Sequence, residues 1–286
     1  MDVDLTGKVA LVTGSSRGLG RATAMALASA GADVVVTYRT RADEAATVAD
    51  EIVAMDRTAT VHQLDMESIA SIEALFDAIE ADHGGLDIAV LNAAATAFKP
   101  LMEAEVRHLR RTYAISVEGF LRAVQLAVPM MEQRGGGTIV GVSGADTRTY
   151  IPAHGVLAGA KAAMETMIQY LACEIGQRGI TIVGVNPGTI MGDSIKLMLG
   201  EELFDAAWDF DARTHPLRTA AVPSDIAEPI VWLCSPLARF AHGSTINADG
   251  GSIFAMCGRW MDEGTNAMLA KGRLSSEAAA GPSARA

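Results

Sequence analysis

The chain has few aromatic residues, few cysteines and fewer basic than acidic side chains. Of its 286 residues only 5% are aromatic, and 34 Asp and Glu oppose 23 Lys and Arg, which gives a formal net charge of −11. Affinity for nucleic acid and for anionic membranes comes mainly from clustered basic side chains, so we expect neither kind of partner. The three cysteines, Cys173, Cys234 and Cys257, have no metal-binding or redox spacing. We therefore expect no metal site.

The sequence also lacks an apolar segment of the kind that targets a chain for secretion or insertion. The longest uncharged run, Gly179–Gly192, has 14 residues and includes Gly and Pro, whereas a membrane span needs roughly 18. The N-terminus, MDVDLTGKVA, shows no basic region followed by an apolar block. Half of the residues are hydrophobic, enough for a substantial core. These features predict a cytoplasmic globular protein.

Short apolar runs alternate with longer amphipathic ones along the chain. The runs predicted to be buried strands are rich in Val and Ile: Val9–Val12, Val34–Thr37, Thr60–Leu64, Ile88–Leu91, Thr138–Val142, Ile180–Val185 and Thr245–Ala248. Helical patterns between them include Ser68–His83, Glu103–Gln133 and Val156–Gln177. Strands that alternate with helices indicate a parallel sheet, and near-continuous apolar strands indicate burial on both faces. The sequence predicts a three-layer, doubly wound α/β Rossmann fold with a seven-stranded parallel sheet, as one domain over residues 1–251.

Residues 252–286 are predicted to be a C-terminal extension. Their apolar spacing is irregular, and Leu274–Ala286 is small, polar and rich in Ala and Ser, which is typical of a disordered chain end. The stretch Ile253–Leu269 is apolar enough to pack on something. It covers the active-site mouth or a neighbouring subunit, or it is a loose appendage.

The strongest local motif is the segment Thr13–Gly20, with sequence TGSSRGLG. It follows the first predicted strand directly and opens a predicted helix that runs through Leu27. Glycines in such a turn let backbone amides approach a pyrophosphate at the positive end of the helix. The position between a first strand and a first helix makes this motif specific for a dinucleotide.

The glycine spacing of this motif, Gly-x3-Gly-x-Gly, resembles that of the short-chain dehydrogenase/reductase family. Similar segments follow in the family's order: Asp65 after the third strand, Leu91-Asn92-Ala93-Ala94 after the fourth, Lys161 in the helix after the fifth, Asn186-Pro187-Gly188 after the sixth and Asp249-Gly250-Gly251 after the last. The resemblance covers about residues 5–251. It implies that a nicotinamide cofactor is bound by Gly14, Ser15, Ser16, Arg17, Gly18, Leu19, Gly20, Arg39, Asp65, Met66, Asn92, Ala93, Ala94, Lys161, Pro187, Gly188, Thr189 and Ile190.

The choice between the two nicotinamide cofactors depends on charge at the end of the second strand. An NAD site usually has an acid there, which accepts hydrogen bonds from the ribose hydroxyls. Here the strand ends in Tyr38-Arg39-Thr40-Arg41. A guanidinium binds two phosphate oxygens at once, so Arg39 and Arg17 are predicted to pair with a 2′-phosphate, and Arg41 is interpreted as a solvated charge. The predicted cofactor is NADPH.

The catalytic residues that the resemblance implies are mostly missing. Hydride transfer to a carbonyl creates negative charge on oxygen, and the family meets it with a Tyr four residues before the Lys, assisted by a Ser and an Asn. Lys161 is present, but Leu157 stands at the position of the Tyr. Gly144 stands at the position of the Ser, with Ser143 adjacent, and Ser116 at that of the Asn. The proton must come from elsewhere.

One explanation is another side chain. His154 lies seven residues before Lys161, on nearly the same helical face, where the related enoyl-acyl-carrier-protein reductases keep their Tyr. An imidazole titrates near neutrality and can serve as an acid. Tyr150 is the other candidate, but Pro152 places it in a loop, where it serves equally well as an aromatic lid.

A second explanation is that the substrate supplies its own proton. The sequence resembles Tyr-lacking short-chain reductases of antibiotic pathways, which act on aromatic polyketides. A ketone beside a phenolic hydroxyl stabilises its own alkoxide, and the protein then only positions the reactants. A third explanation is an NADPH-binding protein without chemistry.

The leading hypothesis is an NADPH-dependent ketoreductase for a bulky, aromatic polyketide-type ketone, a small-molecule substrate. The alternatives are an enoyl-thioester reductase and a non-catalytic NADPH-binding protein. The candidate catalytic residues are Lys161, His154, Tyr150 and Ser143. The segment Thr189–Pro216 is rich in Met and aromatic residues and is interpreted as a lid over the substrate. The resemblance further implies a homodimer or homotetramer.

Overall fold

The computed structural model describes residues 3–192, 195–196 and 200–256. Its strands form one parallel sheet in the order β3-β2-β1-β4-β5-β6-β7, which confirms the predicted doubly wound α/β fold. The strands are β1 (Val9–Val12), β2 (Asp33–Tyr38), β3 (Ala59–Gln63), β4 (Ile88–Leu91), β5 (Gly137–Val142), β6 (Ile180–Asn186) and β7 (Thr245–Asn247). Each predicted strand lies within two residues of the observed bounds.

Helices cover both faces of the sheet. They are α1 (Gly18–Ser29), α2 (Ala42–Val53), α3 (Ile69–His83), α4 (Val106–Tyr113), α5 (Gly119–Gln133), α6 (Gly155–Ile175), α7 (Glu201–Thr214), α8 (Pro223–Leu233) and α9 (Ser252–Met256). A π-helical turn, Ala114–Glu118, joins α4 to α5, and short 3₁₀ turns cover Ala145–Thr147, Gly176–Arg178 and Pro236–Ala241.

Alternating side chains of the central strands pack in two separate hydrophobic cores, one on each face of the sheet. On β1, Leu11 faces a cluster that includes side chains of α3, α5 and α6, whereas Val12 faces one that includes side chains of α1, α2 and α8. Both residues are completely buried. Because successive side chains of a strand point to opposite faces, a strand covered on both sides must be apolar at every position. This explains the uninterrupted Val and Ile runs of the sequence.

The prediction of one continuous helix over Glu103–Gln133 is wrong. The structure begins the helix at Val106 and interrupts it with the π-helical turn, so that α4 and α5 are separate elements. The combined stretch Val106–Gln133 is long and apolar enough to cross a membrane. Its apolar face, however, packs in the core through Phe120, Val124 and neighbouring residues, as expected for a core helix of a globular protein.

The predicted boundary at residue 251 falls at the start of α9. The carboxylate of Asp249 accepts hydrogen bonds from the backbone N–H of Ile253 at 2.8 Å and from the hydroxyl of Ser252 at 3.3 Å. Ile253 is itself buried, so the first residues of the predicted extension pack on the domain. The predictions for residues 257–286 lie outside the described residues.

Candidate active site

The predicted site residues lie along one edge of the sheet, at the carboxyl ends of the parallel strands. Two neighbouring strands, β1 and β4, are followed by connections that lead to opposite sides of the sheet, and such a switch point forms a crevice in which open α/β sheets bind ligands. Thr13 and Asn92 hold the two strand ends together. Asn92 donates from its backbone N–H to Thr13 Oγ1 and from its side-chain amide to the Thr13 carbonyl, both at 2.9 Å.

The glycine-rich turn is tightly packed on one side and open on the other. Gly14 and Gly18 have positive φ angles of 70° and 56°, a conformation that glycine adopts without strain. A Cβ at Gly18 would meet nothing within 4 Å, whereas a Cβ at Gly20 would stand 2.2 Å from the Gly14 carbonyl oxygen. The turn therefore bends sharply. It lies in close contact with α1 at Gly20 and leaves free space beside Gly18.

Within the turn, Ser15 is part of the protein's own scaffold. Its side chain is completely buried. The hydroxyl donates to the Val12 carbonyl at 2.9 Å and accepts from the backbone N–H of Thr37 at 2.8 Å. The Ser15 N–H donates to the Thr37 carbonyl at 3.0 Å. Ser16, Arg17 and Leu19, by contrast, are at least partly exposed.

The turn suits the dinucleotide that the fold implies. The positive end of α1 has no side-chain hydrogen-bond cap, and the helix has no acidic residue in its first turn. A helix N-terminus of this kind favours an anion. Together with the open space beside Gly18, this leaves room and positive potential for a pyrophosphate.

A cluster of charges lies at the ends of β2 and β3. Arg39 is paired with Glu67 at 3.4 Å, and Glu67 is also paired with Arg111 at 2.8 Å. Glu67 is therefore shared by two guanidinium groups, and the carboxyl of Asp65, which accepts from the Glu67 N–H, adds a second negative charge beside them. Arg41 instead pairs with Glu44 on α2, in agreement with its interpretation as a solvated charge.

The other predicted cofactor residues line the same edge. Asp65 accepts from the backbone N–H of Glu67 at 3.0 Å, so its carboxyl is held in place. Met66 is buried and packs against Gly119, where a Cβ would stand 2.6 Å from the Met66 carbonyl oxygen. The backbone N–H of Ala93 donates to Thr13 Oγ1 at 2.9 Å, and Ala94 follows it.

A second glycine turn follows β6. The Gly188 N–H donates to the Asn186 side chain at 3.1 Å, and Gly188 has a φ of 68°. A Cβ at Gly188 would stand 2.7 Å from Asp249 Cβ, so the turns after β6 and β7 are in close contact. Pro187 is buried, and Thr189 and Ile190 are half-buried at the same edge.

Lys161 is the central charged residue of the site. It lies on α6, is only 4% exposed, and its ammonium donates to the Val142 carbonyl at the end of β5 at 2.5 Å. Burial lowers the pKa of Lys161 to about 8, although the carboxyls of Asp146 and Glu165 act in the opposite direction. Leu157 lies four residues earlier on the same helix and offers no polar group.

Ser143 belongs to a buried network around an acid that the sequence analysis missed. Its hydroxyl donates to Glu165 at 2.5 Å. Glu165 also accepts from the Thr147 hydroxyl at 2.9 Å and from the Arg148 guanidinium at 2.8 Å. Glu165 lies one helical turn after Lys161. Its position as an acid on the apolar face of this helix is the sequence feature that could have identified it. The network fixes the loop between β5 and α6.

The two predicted proton donors lie farther out. Tyr150 is 83% exposed. The His154 ring lies 4.9 Å from that of Phe98, and its Nδ1 lies 2.9 Å from the Pro152 carbonyl. Since a carbonyl only accepts, Nδ1 carries the proton of this contact. The structure thus brings Ser143 and Lys161 together, holds His154 at the rim and leaves Tyr150 in solvent.

A second missed acid, Asp146, lies in the same loop. Burial raises the pKa of Asp146 above its usual value, and Glu165 adds to that effect, while His154, Lys161 and its own backbone N–H oppose it. Within the described parts of the chain no group of His, Cys, Asp and Glu is arranged to hold a metal ion.

Comparison with known proteins identifies the class. A family model described as enoyl-(acyl carrier protein) reductase matches residues 14–252. The chain is 35% identical over 244 residues to 1-cyclohexenylcarbonyl-CoA reductase of Streptomyces collinus, which covers 85% of this chain and 86% of that protein. The chain belongs to the short-chain dehydrogenase/reductase family and is an oxidoreductase.

Two solved structures show the same architecture. One is 7α-hydroxysteroid dehydrogenase complexed with NADH and 7-oxo glycochenodeoxycholic acid, with a TM-score of 0.81 and 32% identity over 87% of this chain and 96% of that one. The other is the angucycline C-6 ketoreductase LanV with bound NADP, with a TM-score of 0.80 and 32% identity over 89% of this chain and 98% of that one.

Proposed function

We propose that this protein is an NADPH-dependent ketoreductase that transfers hydride to the carbonyl of a bulky, aromatic polyketide-type ketone. The observation that carries the proposal is the contrast between the two halves of the site. The dinucleotide turn and Lys161 are intact, whereas the substrate side presents Leu157 and Gly144. The apolar side chain of Leu157 suits contact with a broad planar ring system, such as that of the ketone class reduced by LanV.

The charge cluster at the end of β2 supports NADPH. Arg39 contacts Glu67 at 3.4 Å, whereas Arg111 contacts the same carboxylate at 2.8 Å, and this longer contact leaves the Arg39 guanidinium able to bind a 2′-phosphate. Replacing Arg39 with alanine is expected to weaken NADPH binding roughly 10- to 100-fold, since a charge-assisted hydrogen bond contributes about 1.5–3 kcal/mol. NADH binding is expected to change little. Fluorescence titration of both cofactors measures the difference.

Arg41→Ala is the matched control, because Arg41 is an equally exposed arginine in the same stretch but is paired with Glu44. We expect this variant to bind both cofactors like the parent protein. Equal losses of NADPH and NADH affinity in Arg39→Ala would contradict the assignment of Arg39 to the phosphate.

The exposed apolar side chains of α7 support a bulky substrate. Leu203, Trp208 and Phe210 are exposed on α7, within the segment interpreted as a lid. Exposed aromatic and aliphatic side chains beside a site favour an apolar ligand. Residues 193–194 and 197–199 of that segment lie outside the described residues.

The proposed mechanism follows from the part of the cofactor or substrate that each residue binds. When bound, NADPH supplies the hydride. The turn at Gly18 and the positive end of α1 fix the pyrophosphate, and Lys161 presents its ammonium where it holds ribose hydroxyls and stabilises negative charge on the substrate oxygen. Leu157 keeps water from that side of the site. Correct positioning by itself removes a large part of a barrier.

A second function, enoyl-thioester reduction, is favoured by two specific observations. The Streptomyces relative is named for reduction of an unsaturated CoA thioester, and His154 precedes Lys161 by seven residues. In that reaction the hydride adds to a carbon–carbon double bond.

One assay decides between these functions. The protein is supplied with NADPH and either hydroxy-aryl ketones or a crotonyl thioester, and NADPH oxidation is followed by absorbance. We expect oxidation with the ketones. Oxidation with the thioester alone would show an enoyl reductase. Quenching of tryptophan fluorescence by NADPH without oxidation in either case would show a non-catalytic binding protein.

We also propose a cytoplasmic homodimer or homotetramer. Exposed apolar side chains on the two long helical segments support it, namely Val106 and Leu109 on α4 and Tyr170 on α6. Light scattering coupled to size exclusion measures the assembly directly.

A further inference from the structure

The carboxyl group of Asp146 is placed unusually. Asp146 lies in the 3₁₀ turn that follows β5, at the same sheet edge as Lys161. Both of its oxygens are buried, and neither has a hydrogen-bond partner at another residue that the structure describes. Buried carboxyl oxygens are nearly always paired, because an unpaired one loses its hydration without compensation. An unpaired carboxyl at a ligand-binding edge is therefore a candidate for contact with the ligand.

The close approach to Gly144 gives the position of the Asp146 carboxyl. An ideal Cβ at Gly144 would stand 2.5 Å from Asp146 Oδ1. The φ of Gly144 is −160°, an extended conformation open to any residue, so the backbone does not require glycine. The space does. The Asp146 carboxyl fills the volume in which a side chain at residue 144 would begin, and this is the position where the family resemblance expects a serine.

The neighbouring acid does not compete for this role. Glu165 accepts hydrogen bonds from Ser143, Thr147 and Arg148, so its oxygens are already used. The charged groups that act on Asp146 are His154 before α6 and Lys161 and Glu165 on α6. Burial outweighs the two cationic groups and favours the protonated acid.

We propose that Asp146 is the acid that protonates the substrate oxygen, in place of the missing tyrosine. This inference rests on the proposed ketone reduction. As hydride adds to the carbonyl carbon, the π electron pair moves to the oxygen, and the proton passes from Asp146 to that oxygen. The products are an alcohol, oxidised cofactor and a carboxylate, which regains a proton from solvent water.

The first test is Asp146→Asn, which keeps the shape of the side chain but has no proton to transfer. We expect kcat to fall roughly 10²- to 10⁴-fold, with NADPH affinity within twofold of the parent protein. Asp43→Asn, at an exposed acid on α2, is the control for an aspartate-to-asparagine substitution outside the site. His154→Phe is the competing variant, and a large loss in His154→Phe with none in Asp146→Asn would overturn the proposal.

Two further readouts separate a catalytic role from a structural one. Parent kcat should fall as pH rises through the pKa of Asp146, because the acid must be protonated, and Asp146→Asn should lack this dependence. Because the carboxyl accepts no hydrogen bond from another residue that the structure describes, Asp146→Asn and Asp146→Ala should keep or raise the melting temperature. A clear drop in melting temperature for both would assign Asp146 to the scaffold and overturn the proposal.

The decisive measurement does not need turnover. Infrared difference spectra between pH values, compared for the parent protein and Asp146→Ala, report the protonated carboxyl of Asp146 alone. We expect its pKa to lie above the ordinary value for aspartate, 3.9, because the carboxyl is buried. Titration at or below that value would overturn the proposal. If no ketone is reduced but the raised titration is found, the function proposed above fails, and with it the role of Asp146 as acid, while the raised pKa of its carboxyl is confirmed.

Discussion

Replacing Gly20 with alanine is expected to abolish cofactor binding, with a loss of at least about 10²-fold in NADPH affinity. Alanine inside a helix normally stabilises it by about 1 kcal/mol relative to glycine. Here the added Cβ would stand 2.2 Å from the Gly14 carbonyl oxygen and 2.7 Å from the Asn92 amide nitrogen. The first of these is backbone, so the glycine-rich turn must move. The backbone amides that face the pyrophosphate then lose their geometry.

The matched control for this variant is Gly159→Ala. Gly159 is also a helical glycine, on α6, but its Cβ would meet only the hydroxyl of Tyr113, at 3.1 Å. That hydroxyl is the end of a side chain and can shift. We expect this variant to bind NADPH normally and to be at least as stable as the parent protein. Normal NADPH affinity in Gly20→Ala, measured by calorimetry, would contradict the assignment of the turn.

Replacing Lys161 with methionine is expected to lower turnover by at least about 10²-fold while raising stability. Turnover falls because the ammonium no longer holds the ribose and the reacting oxygen. Stability rises because a charge is removed from a buried place. A pKa of about 8 instead of 10.5 corresponds to a cost of roughly 3 kcal/mol for the charged form. The lost charge-assisted hydrogen bond to Val142 returns about 1.5–3 kcal/mol of that, so the net rise in stability is at most about 1.5 kcal/mol.

The pH dependence of stability tests whether the buried charge of Lys161 destabilises the folded protein. Below pH 8 the lysine is charged in both the folded and the unfolded chain, and the folded protein bears the full cost. Between about pH 8 and 10.5 the unfolded chain binds more protons than the folded one, so the stability of the parent protein rises with pH. Its deficit relative to Lys161→Met should shrink over this range. A constant difference in melting temperature would contradict the buried charge.

The strands and the cofactor turn could be predicted because their signals are local. A strand buried on both faces must be apolar at every position, and the runs on β1 and β4 show this directly. The glycines of the turn stand in a fixed order between a strand and a helix. The interruption between α4 and α5 could not be predicted, because a π-helical turn inserts a single residue and barely changes the apolar pattern of Glu103–Gln133.

The proton donors show the limit of reasoning from sequence spacing. His154 was a candidate because of its distance from Lys161 along the chain, and Tyr150 because a phenol can donate a proton. In the structure Tyr150 is 83% exposed, and His154 packs on Phe98. Asp146 gave no signal, since an acid two residues after a glycine is common in loops. Its importance depends on burial and on the absence of partners among the described residues, neither of which is a property of the sequence.

The sequence by itself determined the fold and the glycine-rich turn, and it predicts that Leu157 stands at the position of the family's tyrosine, because each follows from residue types at fixed separations along the chain. The tertiary structure alone decided which polar groups are used up and which remain available. Glu165 and Ser143 satisfy each other, Ser15 is held by β2, and Asp146 is left unpaired in the space that Gly144 vacates. The physical reason is that hydrogen-bond partners and burial come from residues distant in the chain, and only the packed molecule brings them together.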